Sequence, residues 1–297
     1  MSLTFKAGDM TIHRVIEDET TFRTVSQFFG DQVSPELLAE NRAWLKQINA
    51  LEADDVLRIC FQSYVVRTPH HTILIDTCIG NDKSRSQFPA WHMRKSDTYM
   101  RALAGHGLSV NDIDYVMCTH LHVDHVGWNT KLENGRWVPT FRNAKYLFAK
   151  REYAHWETEH KTKGLETNGG SFDDSVLPVV EAGKAVMIDS DHQPDPMLTI
   201  MDYPGHTPGS IAINLKDGGK QACFSGDIMH HPIQVYHPDW SSQFCSDQDL
   251  SAKSRRKLLE DCSENGALLC PAHFPGANAG TIKPQGNAFR IDWDVQK

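Results

Sequence analysis

The sequence has no pair of cysteines at CxxC spacing, no run of lysine or arginine, and no apolar stretch long enough to span a bilayer. Its seven cysteines (Cys60, Cys78, Cys118, Cys223, Cys245, Cys262 and Cys270) are odd in number and widely scattered, as expected of reduced, mostly buried thiols. With a formal net charge of -8, the chain lacks the basic groove that nucleic-acid binding requires. The opening residues, Met1 to Asp9, show no charged segment followed by an apolar one, so a cytoplasmic protein is expected, without a membrane partner. Low-complexity linkers and internal repeats are also missing. At 297 residues, 40% hydrophobic and 23% charged, the composition is ordinary for a globular protein, and a single domain over 1–297 is expected.

What is present is histidine, concentrated in one place. Thr119-His120-Leu121-His122-Val123-Asp124-His125-Val126-Gly127-Trp128 puts three imidazoles and a carboxylate into six positions, directly after the apolar run Tyr115 to Cys118. Neutral imidazole and carboxylate suit zinc and related divalent ions. His120 and His122 at i and i+2 face the same way only on an extended backbone. The spacing predicts a buried strand ending at Cys118 or Thr119, a ligand loop, and a helix from about Asp124.

Around this stretch the pattern is mixed α/β. Residues 4–16 alternate as an opening strand or hairpin. Ser34 with Pro35 caps an amphipathic helix carrying Leu37, Leu38, Trp44, Leu45 and Ile48. Strands are predicted over 56–66 and 72–76, with a turn at 68–71. Residues 81–94 form a loop rich in large apolar groups, of the kind that walls a pocket. A helix over 96–106 leads to the organising strand. Further strands are expected over 143–149, 185–188, 198–201, 211–215, 221–224 and 267–270. Helices are expected from Arg151, over 176–180 and over 249–262, with a loop over 161–172. His155 and His160 fall on the polar helix and read as solvated.

Three more metal-type residues share one context. His206, Asp227 and His273 each sit just past the end of a short buried strand, as His120 does, and Gly205, Gly209 and Gly226 allow tight turns there. Seven ligands exceed one tetrahedral zinc. They fit two divalent ions: His120, His122 and His206 on one, Asp124, His125 and His273 on the other, with Asp227 bridging. Zinc is the expected metal, with manganese, cobalt or iron as alternatives. Two close ions trap a bridging hydroxide and lower its pKa, which implies hydrolysis.

The pattern HxHxDH at His120 to His125, then Gly205-His206-Thr207-Pro208-Gly209-Ser210, then Gly226-Asp227 and a late His273, resembles the metallo-β-lactamase superfamily. The resemblance covers most of the chain and implies an α/β fold of the αββα type: two mixed sheets face to face, helices outside, metals at one edge. True class B β-lactamases carry Cys where this chain has Asp227. Glyoxalase II proteins add a helical domain after the last His, whereas only 24 residues follow His273 here. Ribonuclease Z relatives need a basic surface, and flavodiiron relatives carry Glu where this chain has His122. What remains is similar to the branch holding N-acyl homoserine lactonases and methyl parathion hydrolase. The position where those lactonases place a Tyr is His230 here.

The resemblance implies a dinuclear hydrolase whose metal-bridging hydroxide opens a lactone or cleaves a carboxylic or phosphotriester bond. Asp124 would orient the hydroxide and shuttle its proton. His230 would donate to the oxyanion, protonate the leaving alkoxide, or simply hold Asp227. Trp128 is a candidate pocket wall or a core residue, and Phe88, Trp91 and Met93 are candidates for the substrate cleft. The alternatives are a mononuclear iron oxidoreductase of the persulfide dioxygenase kind, a thioester hydrolase, and a non-catalytic binding protein on the same fold. The expected partner is a small-molecule ester or lactone, and the apolar entrance loop would suit pairing into a homodimer.

Overall fold

A computed structural model describes residues 4–293. Its strands are β1 (Thr4–Ala7), β2 (Met10–Thr24), β3 (Val56–Arg67), β4 (Thr72–Ile75), β5 (Tyr115–Met117), β6 (Thr130–Glu133), β7 (Arg136–Pro139), β8 (Lys145–Ala149), β9 (Ala185–Ile188), β10 (Leu198–Asp202), β11 (Ile211–Asp217), β12 (Lys220–Gly226), β13 (Leu268–Pro271), β14 (Gly280–Gln285) and β15 (Ala288–Asp292). The helices are α1 (Val25–Phe29), α2 (Pro35–Gln47), α3 (Thr98–Gly105), α4 (Lys150–Lys163), α5 (Leu177–Glu181), α6 (Ile233–Tyr236) and α7 (Gln248–Asn265). One sheet runs β1-β2-β3-β4-β5-β8-β9, a second runs β10-β11-β12-β13-β14-β15, and β6-β7 is a separate hairpin.

Strand alternation decides how these layers stack. In β4, Ile73 and Ile75 join an apolar cluster shared with the second sheet, while Leu74 points the other way. Met117 and Leu147 follow Ile73, and Val116, Tyr146 and Phe148 follow Leu74. From the opposite sheet, Ile211, Ile213, Leu215 and Phe224 face inward, and Ala212 and Cys223 face outward. The outer face of the first sheet packs on Tyr99 and Leu103 of α3 and Trp156 of α4. That of the second packs on Leu258, Leu259 and Cys262 of α7. The result is helix, sheet, sheet, helix.

Both sheets are mixed, and the parallel pairs matter most for the site. β4, β5 and β8 are mutually parallel, as are β12 and β13. Parallel strands bring their C-terminal ends to one edge, so the residues following β4, β5, β8, β12 and β13 gather there.

One local expectation changes. No helix begins at Asp124; the chain makes tight turns and then one 3-10 turn, Gly127–Asn129. The backbone bonds go elsewhere: Thr77 N–H donates to His125 O at 2.7 Å, Gly127 N–H to Cys78 O at 2.7 Å and Trp128 N–H to Thr77 O at 2.8 Å. A Cβ on Gly127 would lie 1.9 Å from Ile79 O, so only glycine admits this contact. The tail also holds the hairpin β14-β15, turning at Gly286 with φ 58°, which the sequence masked with Pro284 inside a strand. All seven cysteines are free thiols, and all but Cys245 are buried. No helix among the described residues is long and apolar enough to cross a membrane.

Candidate metal centre and substrate cleft

All seven predicted ligands converge at the common strand edge. His120, His122, His206 and Asp227 form one group and Asp124, His125 and His273 a second, with ligand atoms in each within 4.8 Å of one another. Asp227 spans the two. Its Oδ2 lies 3.3 Å from His206 Nε2 and 3.7 Å from His120 Nε2, while its Oδ1 lies 2.9 Å from His273 Nε2 and 3.1 Å from His125 Nε2. Asp124 is 3.6 Å from His273 Nε2 and 4.0 Å from His125 Nε2.

The protonation pattern tests whether cations fit. His273 Nδ1 faces the Cys60 carbonyl at 2.8 Å, and a carbonyl only accepts, so Nδ1 carries the hydrogen. His125 Nδ1 donates in the same way to Asp76 Oδ2 at 3.0 Å. In the neutral rings both Nε2 atoms then present lone pairs to one another, 3.2 Å apart. In the first group, Thr119 Oγ1 donates to Asp76 and is left to accept from His120 Nδ1 at 3.2 Å. His120 Nε2 therefore turns a lone pair toward His206 Nε2 at 3.2 Å and His122 Nδ1 at 3.0 Å. At the His125–His273 pair, lone pairs this close repel unless a positive charge sits between them, and His120 adds a lone pair aimed into the other cluster, so the donor set fits divalent ions.

The electrostatics of the two groups differ. Burial pushes His120, His122 and His206 below the usual imidazole range. Around His125 and His273 burial acts in the same direction, but Asp227 and Asp124 outweigh it and raise both. Asp227 is buried, which would raise its pKa, yet the surrounding histidines hold it well below the carboxylate range. Asp227 is thus an anion set among buried histidines, and its Oδ1 has no hydrogen-bond partner among the described residues.

Above the centre opens a cavity of about 150 Å³. Its floor holds His122, Asp124, His206, Asp227, His230 and His273, and its walls are Phe22, Phe28, Ile59, Phe61, Phe88, Trp91, Val123, Asn168 and Phe244. Trp91 stacks on Phe88 at 4.7 Å and meets Phe61 edge-on at 5.3 Å. Among the described residues no lysine or arginine lines this cleft, although the Arg23 guanidinium lies over the Phe22 and Phe244 rings of its wall, at 5.5 and 5.4 Å. His230 Nε2 lies 3.3 Å from Asp227 Oδ2 and 3.4 Å from Ser242 Oγ.

Two predicted cleft residues are not there. Met93 is 48% exposed, at φ 49°, and is absent from the lining. Trp128 is buried in the layer between the first sheet and α3: it stacks on Tyr99 at 5.4 Å and donates Nε1–H to Glu17 Oε1 at 2.9 Å. Its backbone bond to Thr77 turns it away from the cleft. His231 and His237 also have structural partners, the Ala50 carbonyl at 2.9 Å and Asn41 at 3.1 Å.

Other residues escaped the sequence reading. Phe22, Phe28 and Phe244 complete the aromatic wall from segments far apart in the chain. Asp76 follows β4, the same strand-end context as the ligands, which was a usable signal. Glu152 lies in a helix that reads as polar throughout, and is 1% exposed.

The profile of the metallo-beta-lactamase superfamily matches residues 62–273. The chain belongs to that superfamily. The N-acyl homoserine lactonase AttM of Azorhizobium caulinodans is 26% identical over 192 residues, 62% of this chain and 67% of the relative. Among solved structures, the dizinc quorum-quenching lactonase AidC superimposes with a TM-score of 0.77 at 21% identity, over 97% of this chain and 96% of that one. The hydrolase AbOPH gives a TM-score of 0.80 at 20% identity, over 97% and 95%. At such identities the superpositions establish the metallo-β-lactamase fold alone. The superfamily member described here is thus an α/β protein whose strand edge gathers a histidine–aspartate centre suited to metal.

Proposed function

We propose that this chain is a dinuclear metal-dependent hydrolase acting on an uncharged ester-type substrate: a lactone, a carboxylic ester or a phosphotriester. The observation that carries this reading is Asp227, with one oxygen turned to each group of ligands at the floor of an apolar cleft. His120, His122 and His206 would hold one ion and Asp124, His125 and His273 the other. Bound there, two divalent ions would supply Lewis acidity toward water and toward the substrate's carbonyl or phosphoryl oxygen.

The chain's own groups do the rest. Asp124 is the less buried of the two carboxylates, so it can meet water at the cleft floor and take its proton. His230 lines the cleft and orients Asp227 through Nε2. The aromatic walls exclude water and bind an apolar acyl or aryl group. The cavity of about 150 Å³ has room for at least a benzene-sized ring. Among the described residues no lysine or arginine lines the cleft, so a charged group on the acyl or aryl part of a substrate would lose water there without a partner.

The relative AttM, named a lactonase, supports the lactone arm. The experiment is turnover of a panel holding acyl homoserine lactones, γ- and δ-lactones, aryl esters, a phosphotriester and a thioester, before and after chelation. Hydrolysis of a lactone, a carboxylic ester or the phosphotriester, abolished by chelator and restored by zinc, manganese or cobalt, is the expected result. Turnover confined to the thioester, or hydrolysis that survives complete metal removal, would refute it.

A further inference from the structure

Glu152 hydrogen-bonds to both loops carrying the three-histidine group. It lies in the first turn of α4, a helix whose other positions are mostly solvated, and only Glu152 and Trp156 of that helix are buried. Its Oε1 accepts from Leu121 N–H at 3.0 Å and from Trp156 Nε1–H at 2.6 Å. Its Oε2 accepts from Thr207 Oγ1 at 2.7 Å and from Gly209 N–H at 3.0 Å. Leu121 sits between His120 and His122, and Thr207 directly follows His206. The Trp156 ring in turn meets the His122 ring edge-on at 5.3 Å.

The packing is built around this contact. A Cβ on Gly209 would lie 2.3 Å from Glu152 N and 2.5 Å from its Cα, so the loop after His206 rests directly on the helix at this residue. Among the described residues no lysine or arginine pairs with the carboxylate; its oxygens are satisfied entirely by these four donors. A buried, unpaired carboxylate is costly, and retaining one beside a cation site is consistent with a role there.

We infer that Glu152 is a positioning residue that ties the loop from the first sheet to the loop from the second, and so sets the geometry of the His120, His122 and His206 group. The assignment rests on the metal-centre reading above. Glutamine at 152 retains one acceptor oxygen but replaces the other with an amine, which faces N–H donors on one of the two loops. The three-histidine group, with ligands directly beside Glu152's donors on both loops, must shift most, whereas Asp124 and His125 lie three and four positions beyond Leu121 and His273 lies on neither loop.

The test is zinc stoichiometry and affinity of Glu152→Gln by competition with a chromophoric chelator, with anomalous diffraction at the zinc edge to locate each ion. The expected result is full occupancy of the Asp124, His125 and His273 group and an affinity about tenfold to a hundredfold lower in the three-histidine group. Thr207→Val, which removes one donor and keeps the carboxylate, should show a smaller loss at the same group; it decides the matter if Glu152→Gln does not fold. Equal loss at both groups, or unchanged affinity at both in a wild-type protein that binds two ions, overturns the role of Glu152 alone. A wild-type protein with no ion in the three-histidine group overturns the metal-centre reading itself, and this inference with it.

Discussion

Asp76 accepts a hydrogen bond from His125 Nδ1 at 3.0 Å while its other oxygen accepts from the backbone N–H of Thr119 at 2.8 Å. One carboxylate thus fixes the ring of a ligand in one group and the backbone leading to His120 in the other. Such outer partners keep the ligand nitrogen unprotonated and aimed. Asp76→Ala should lower metal affinity about tenfold to a hundredfold, with the larger effect at the Asp124, His125 and His273 group. Chelator competition on the purified variant reads this directly, and an unchanged affinity would remove Asp76 from the account.

The cleft wall separates two neighbours in sequence. Trp91 is buried against Phe88 and Phe61, whereas Met93 is exposed outside the lining. Trp91→Ala should raise KM for an aryl ester by about tenfold, the worth of about 1.4 kcal/mol of lost apolar contact, with a smaller change in kcat. Met93→Ala should leave both within experimental scatter, as an exposed substitution usually does. Steady-state kinetics of the pair would count against the placement if Met93→Ala had the larger effect.

His231 supplies a pH dependence outside the metal centre. Burial lowers its pKa from 6.5 to about 4, against the opposing bond to Ala50 O. A group with a depressed folded pKa contributes stability that is complete above the unfolded value and disappears as pH falls through the folded value. Here the window is pH 6.5 to about 4, and the drop across it is about 3 kcal/mol. His231→Gln can keep a donor for Ala50 O but cannot titrate. The gap between wild type and variant in urea unfolding should therefore change across that window and stay flat above pH 7. Parallel curves from pH 7 to pH 4 would show that His231 does not carry the effect.

How much of this was readable in advance depends on where the information lies. The convergence of the seven candidate ligands was legible because four share one short motif and the other three each follow a buried strand. The layered core was legible through alternation, as in Ile73, Leu74 and Ile75, although the sandwich itself came from the family resemblance. The cleft was not, because Phe22 and Phe244 are more than 200 positions apart and only the fold brings them together. Trp128 and the missing helix at Asp124 share one cause: the backbone after the motif bonds to residues 77–78, a tertiary pairing that periodicity cannot register. Glu152 was hidden for a related reason, since a charged side chain in a polar helix reads as solvated until its four donors are seen.

The central claim is a two-ion centre bridged by Asp227, and the most direct measurement is metal content by mass spectrometry on wild type and Asp227→Ala, alongside turnover. The account predicts two divalent ions per wild-type chain with hydrolytic activity, and loss of both the second ion and the activity when Asp227 is removed. One iron per wild-type chain without hydrolysis, or an Asp227→Ala variant that keeps two ions and full turnover, would contradict it.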